Sequence, residues 1–337
     1  MSEPLVRILQ VEKSFRTRSE WRWPRMFGGK KTSLASHVYA INNVSLEIER
    51  GETLCVVGET GCGKSTLARL LMGLAQPDAG VIEYQGQRID QLNDKQRMRY
   101  RKKMQMVFQN PYASLNPRMT VYQILREAIV LHHRDWDRHQ VDLFIAELLQ
   151  SVGLSKDAED RYPHEFSGGQ RQRISLARAL SVEPELIVAD EPLAALDVSV
   201  QAQVLNLMMD KQQELGLTYL FITHDLAVVE HFATRVAVMY LGRVCEVAIR
   251  ETLFKAPKHP YTQALLSSIP RLDNLTLEPI HLSGEVPTPL EKPVGCSFCG
   301  RCPLANQRCY EQIPMLELQA DGSQVACHAV AEGRSWK

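Results

Sequence analysis

No apolar run in this sequence reaches the roughly 18 residues that a membrane-spanning helix needs. The opening "MSEPLVRILQVEKSF" lacks the charged, apolar and small-residue order of an export signal, so a cytoplasmic chain is expected. An excess of one charge is also missing. Lys plus Arg number 39 and Asp plus Glu number 39, and without a basic excess no nucleic-acid partner is expected. Nothing in the composition suggests disorder, and there is no internal repeat. A reducing compartment disfavours structural disulfides, yet five of the eight cysteines fall between Cys296 and Cys327. That crowding needs a chemistry of its own. At 337 residues the chain can bury one large core with an appendage, or two modest ones.

What is present is an alternation of strand-like and helix-like texture. "VSLEI" at 44–48 alternates apolar and polar, as a half-buried strand does. Short apolar runs follow at "TLCVVG", "MQMVF", "ELIVA", "LTYLFIT" and "RVAVMY", the kind that buried parallel strands need. Helical stretches separate several of them, which predicts an α/β fold. Val141, Phe144, Ile145, Leu148, Leu149 and Val152 recur at helical spacing, and residues 110–180 read as a mainly helical insertion. Beyond about residue 250 the prolines multiply. A boundary is placed there, giving a domain over 1–255 and a tail over 256–337.

"GETGCGKST" follows an apolar strand and opens a helical stretch, the context a phosphate-binding loop requires. Gly58, Gly63, Lys64 and Ser65 occupy the required positions, and Glu59, Thr60, Gly61, Cys62 and Thr66 complete the loop. Its backbone N–H groups and the helix N-terminus offer donors to phosphate. That dipole is worth only about 0.3–1 kcal/mol when exposed, so Lys64 and a magnesium ion on Ser65 must supply most of the rest. "LIVADE" ends another apolar run with Asp190, suited to Mg²⁺, and Glu191, suited to activating water. His224 in "FITHD" and Gln109 in "MVFQNP" also follow apolar runs; from spacing alone, His224 fits either a structural role or a contact to the γ-phosphate, and Gln109 is a commonplace strand-end residue. A second glycine-rich loop, "FSGGQRQR", stands a hundred residues later. By itself it is an ordinary helix start.

In order, "GETGCGKST", "VFQNP", "FSGGQRQR", "LIVADEP", "AALD" and "ITHD" resemble the ATP-binding cassette of ABC transporters. The resemblance implies a RecA-like P-loop core with an antiparallel β portion and a helical signature subdomain. It implies γ-phosphate and Mg²⁺ sensing by Gln109, a signature loop at Ser167, Gly168, Gly169 and Gln170, a D-loop at Asp197 and a switch at His224. It also accounts for the two loops: in that family the signature of one subunit closes over ATP held by the phosphate loop of another. Phe15 is the best match to the family's adenine platform, and Tyr39 is the runner-up. One departure stands out. Leu193 and Ala194 follow the Glu-Pro where the family frequently has Thr and Ser.

The cysteines run C-x2-C-x2-C-x6-C-x17-C from Cys296 through Cys299, Cys302 and Cys309 to Cys327, a density that suits zinc or iron–sulfur. Together with "HPYT" at 259–262, the tail resembles that of the oligopeptide and dipeptide importer ATPases. The resemblance implies a 4Fe-4S cluster on Cys296, Cys302, Cys309 and Cys327, with Cys299 an alternative ligand. It further implies two transmembrane permease subunits, a second homologous ATPase subunit and an extracytoplasmic solute-binding protein, with the chain peripheral on the cytoplasmic face of the bacterial inner membrane. Related importers carry peptides, nickel or sugars, and either a homodimer or a heterodimer fits. A non-transport cassette ATPase is the competing class, but the long coiled coils or paired cassettes of such proteins are missing. Residues 16–31, "RTRSEWRWPRMFGGKK", interleave basic and aromatic residues and fit an anionic membrane surface or a solvated loop equally.

Overall fold

A computed structural model describes residues 3–16, 37–110, 114–268 and 290–335, with Ile280, Leu282, Gly284 and Pro287 between them. The basic, aromatic segment therefore lies outside the described residues, except for Arg16. Twelve strands are described: β1 (Val6–Arg16), β2 (His37–Ile48), β3 (Thr53–Val57), β4 (Ala79–Tyr84), β5 (Gln87–Arg88), β6 (Met104–Val107), β7 (Leu186–Asp190), β8 (Thr218–Ile222), β9 (Arg235–Tyr240), β10 (Arg243–Ile249), β11 (Glu317–Leu318) and β12 (Gln324–Val325).

They form two sheets. An antiparallel sheet has the order β2-β1-β4-β5, and a mixed sheet has the order β11-β12-β10-β9-β3-β8-β7-β6. Strands β9, β3, β8, β7 and β6 run parallel, while β10, β12 and β11 add antiparallel pairs. This is the α/β class expected from the sequence.

The central runs lack polar alternation because both faces of the parallel strands are covered. Leu54 and Val56 of β3 face a core shared with β1, β2, β4 and the helix Lys64–Leu71. Cys55 and Val57 face the other core, which includes Val121, Leu125, Ile145 and Leu149 of the helical segment. The same split recurs along β7 and β8, where Leu186, Val188, Leu220 and Ile222 face the first core and Ile187, Ala189, Tyr219 and Phe221 the second.

The helical segment holds Val121–His132, Arg138–Ser151 and Gly168–Leu180. Each begins on a reciprocal capping box, formed by Thr120 with Gln123, Asp137 with Gln140 and Ser167 with Gln170. Such caps satisfy backbone donors that would otherwise lack partners. Val141, Ile145, Leu148 and Leu149 are the buried face of the middle helix, as their spacing requires. The last two strands of the tail extend the main sheet, because β12 pairs with β10.

Candidate nucleotide site

Strand β3 delivers the chain directly into the loop 58–63. Gly63 sits at φ +105°, and a Cβ there would lie 2.3 Å from the carbonyl oxygen of Ala40, so only glycine is accommodated. The helix Lys64–Leu71 then starts at once. Lys64 is buried, and its Nζ donates to the carbonyls of Gly58 at 2.7 Å and Glu59 at 3.2 Å. The ammonium is thus desolvated and held by the backbone of the loop that it serves.

Asp190, at the end of β7, accepts a hydrogen bond from Ser65 Oγ at 2.9 Å. Burial pushes its carboxyl above the ordinary value; the Ser65 hydroxyl opposes that rise and the charge of Glu191 adds to it. A desolvated carboxylate beside a hydroxyl is a compact all-oxygen donor pair, the chemistry that Mg²⁺ selects. The residues present therefore fit that ion.

Glu191 has φ +47°, a left-handed conformation uncommon for a residue with a side chain. Its N–H donates to the Ile222 carbonyl at 2.9 Å, which ties it to the end of β8. Its carboxylate is held at both oxygens: Gln109 Nε2 donates to Oε2 at 3.1 Å, and His224 Nδ1 lies 3.3 Å from Oε1. The three side chains follow three neighbouring strands, β6, β7 and β8. One cavity is lined by Thr60, Gly61, Gly63, Lys64, Ser65, Thr66, Gln109, Glu191 and His224, together with Phe15, Val38 and Ala40. Phe15 is exposed, and Lys13 Nζ stands 5.5 Å from its ring centroid. Tyr39 does not line the cavity, since neighbouring positions of a strand face opposite ways.

The second glycine-rich loop lies elsewhere. Ser167 and Gln170 are exposed at the start of their helix, and neither they nor Gly168 and Gly169 line the cavity. Gly169 is required by packing, because a Cβ there would lie 2.2 Å from Val200 Cγ1. Asp197 is exposed at the N-terminus of the helix Val198–Leu215. Leu193 is buried and Ala194 exposed.

Two contacts to the loop had no signal in the spacing. The hydroxyl of Tyr261 accepts from the Glu59 N–H at 3.0 Å, and Arg301 pairs with the Glu59 carboxylate at 2.8 Å. Tyr261 belongs to "HPYT" and Arg301 lies between two of the clustered cysteines, so each stood out only for its neighbours. Glu246, buried in β10, accepts the N–H groups of Lys258 at 3.0 Å and His259 at 2.9 Å, which pins the "HPYT" segment to the sheet.

In the tail, burial pushes the Cys296 thiol up to about 12 and Cys302 up to about 11, and the neighbouring Cys327 and Cys309 add to both rises. The nearby backbone N–H groups of Phe298, Leu304, and Val330 with Ala329 act in the opposite sense, lowering the Cys296, Cys302 and Cys327 thiols respectively. Among the described residues, however, no group of three or more His, Cys, Asp or Glu side chains is disposed to hold a metal ion. Nor is any helix long and apolar enough to cross a membrane.

A phosphate loop, a paired Asp and Glu, and a Gln and a His on adjoining strand ends, flanked by an antiparallel sheet, define an ATP-binding cassette. The ABC transporter family model matches residues 41–194, and that for the C-terminal region of oligopeptide/dipeptide transporters matches residues 245–309. The chain belongs to the family of oligopeptide/dipeptide ABC transporter ATP-binding proteins. It is similar to the dipeptide transport ATP-binding protein DppF of Escherichia coli (strain K12), 47% identical over 98% of this chain and 96% of that protein. It is 49% identical, over 98% of this chain and 91% of the relative, to a probable peptide ABC transporter ATP-binding protein, y4tS, of Sinorhizobium fredii. Among solved structures, a dimeric ATP-binding cassette in a post-hydrolysis state with ADP and Pi aligns at TM-score 0.63 and 27% identity, covering 73% of this chain and 98% of that one.

Proposed function

We propose that this chain hydrolyses ATP to power a bacterial peptide importer of the dipeptide and oligopeptide class. The observation that carries the reading is the convergence of Lys64, Ser65 and the Gln109–Glu191–His224 group on one cavity, with Asp190 bonded to Ser65 behind it. Lys64 and the loop amides bind and orient the triphosphate. Ser65 and Asp190, with Gln109, would hold Mg²⁺, which when bound neutralises charge on the phosphate oxygens. Glu191, fixed at both oxygens, orients the attacking water and takes its proton. His224 and Gln109 bracket that carboxylate and contact the γ-phosphate end.

Ser167 to Gln170 do not line the chain's own cavity, which supports their use on a nucleotide held by a second ATPase chain. ATP that binds only the closed pair stabilises closure in proportion to RT ln(1 + [L]/Kd), and hydrolysis releases it. Family membership implies separate membrane permease subunits. The finer assignment is two such permeases, a second homologous ATPase subunit in a heterodimer and an extracytoplasmic solute-binding protein, with this chain peripheral at the cytoplasmic face of the inner membrane. In this reading residues 1–255 are the nucleotide-binding domain and 256–337 an importer-type tail.

The 4Fe-4S reading of the tail rests on its cysteine pattern alone, Cys296, Cys302, Cys309 and Cys327. Among the described residues these cysteines form no metal-holding group. Iron and broad visible absorption in anaerobically purified protein are the expected outcome, and their absence removes the cluster. For the ATPase itself, Glu191→Gln should retain ATP binding and lower steady-state hydrolysis by about 10²–10⁴-fold. Unchanged turnover would exclude Glu191 from activating water.

A further inference from the structure

Glu59 of the phosphate loop is held on three sides. Its carbonyl accepts from Lys64 Nζ at 3.2 Å, its N–H donates to Tyr261 Oη at 3.0 Å, and its carboxylate accepts from Arg301 at 2.8 and 3.2 Å. The last two partners come from 202 and 242 positions downstream. The arginine is firmly presented. Phe298, buried just before the turn Cys299–Arg301, packs against Tyr240 with ring centroids 5.2 Å apart and against Tyr261 at 5.4 Å. Tyr240 in turn packs on Tyr261 at 4.7 Å and accepts a second bond from Arg301 at 3.3 Å.

This differs from an ordinary surface ion pair. The side chains of Arg301 and Glu59 are only 11% and 27% exposed, so solvent screens them less than an exposed pair. Both Glu59 oxygens and the Tyr240 hydroxyl accept from the same Arg301 nitrogen. A bond sequence then runs from the tail through Glu59 to the lysine that meets the phosphates.

We propose that Arg301 is a positioning residue of the nucleotide site: with Tyr261 it clamps Glu59 and so sets the shape of the phosphate loop and its affinity for ATP. The inference rests on the reading of the cavity as an ATP site. Because Asp190, Glu191, Gln109 and His224 sit on other strands, the clamp acts on binding and leaves the chemical step alone. Arg301→Met keeps much of the stem and removes the charge. It should raise both the Kd for ATP of the full-length chain and the KM of the assembled transporter about tenfold, the size expected for one lost charge-assisted hydrogen bond, with kcat held within about twofold. Arg301→Lys should recover a large part of the affinity. Glu59→Gln should weaken binding to a similar degree, and the double variant Glu59→Gln/Arg301→Met should be no worse than either single change, because the two residues act as one pair.

Wild-type protein that fails to bind ATP would sink the nucleotide reading itself. Wild-type binding with an unaltered Kd in Arg301→Met would overturn the clamp alone. So would additive losses in the double variant, or a fall in kcat and melting temperature with no change in Kd. Should the Met variant not fold, Arg301→Lys and Glu59→Gln decide the matter by the same Kd measurement.

Discussion

Replacing His259 with Asn isolates one titration in the hinge between sheet and tail. His259 is 2% exposed, and burial holds its imidazole down at about 3. The neutral ring accepts the Tyr261 N–H at Nδ1, 3.0 Å away, and so caps the helix Pro260–Ser267. In the unfolded chain the ring titrates near 6.5. Between these two values the unfolded chain binds the extra proton. The contribution is therefore complete above about pH 6.5 and is lost as pH falls toward 3, at about 1.4 kcal/mol per pH unit. Going from pH 7 to pH 5 removes about 2 kcal/mol. Glu246, whose carboxyl burial raises, contributes in the opposite direction, weakening as pH rises, but it is common to both proteins. Asn caps through its side-chain oxygen and does not titrate in this range. Urea denaturation of the two proteins at pH 7 and pH 5 should show wild type losing about 2 kcal/mol more than His259→Asn over the interval. Parallel losses would refute a buried neutral imidazole.

Two further substitutions follow from the same geometry. Gly169→Ala drives a methyl to 2.2 Å from Val200 Cγ1 and should destabilise the chain by about 1–3 kcal/mol. Thermal unfolding measures this, and Val200→Ala in the same chain should recover most of it. Phe15→Ala removes the exposed aromatic face of the cavity and should weaken ATP by about 1–3 kcal/mol, the worth of base–aromatic stacking. That loss should show as a higher KM at unchanged kcat; an unchanged KM would move the adenine elsewhere.

Much of this site was legible in the chain because its parts obey local rules. A phosphate loop is one strand, one turn and one helix start, so "GETGCGKST" carries its own context. Asp190, Glu191, Gln109 and His224 end apolar runs, and strand ends of a parallel sheet converge on one edge. Strand β1 was less legible. Its buried residues Val6, Ile8 and Val11 are out of phase because register shifts interrupt the pairing after Ile8 and Gln10 sits at φ +49°. A bulge breaks the period of two on which strand reading depends.

The sequence by itself determined the α/β class, the phosphate loop and the acids beyond the strands, since each depends on neighbours a few residues apart. Only the tertiary structure decided that Ser65 bonds Asp190, that Phe15 and not Tyr39 lines the cavity, and that residues 261 and 301 grip Glu59. Those contacts join positions more than a hundred apart or turn on which face of a strand is buried. Such distances are set by how sheets stack and strands order, and no short-range spacing encodes them.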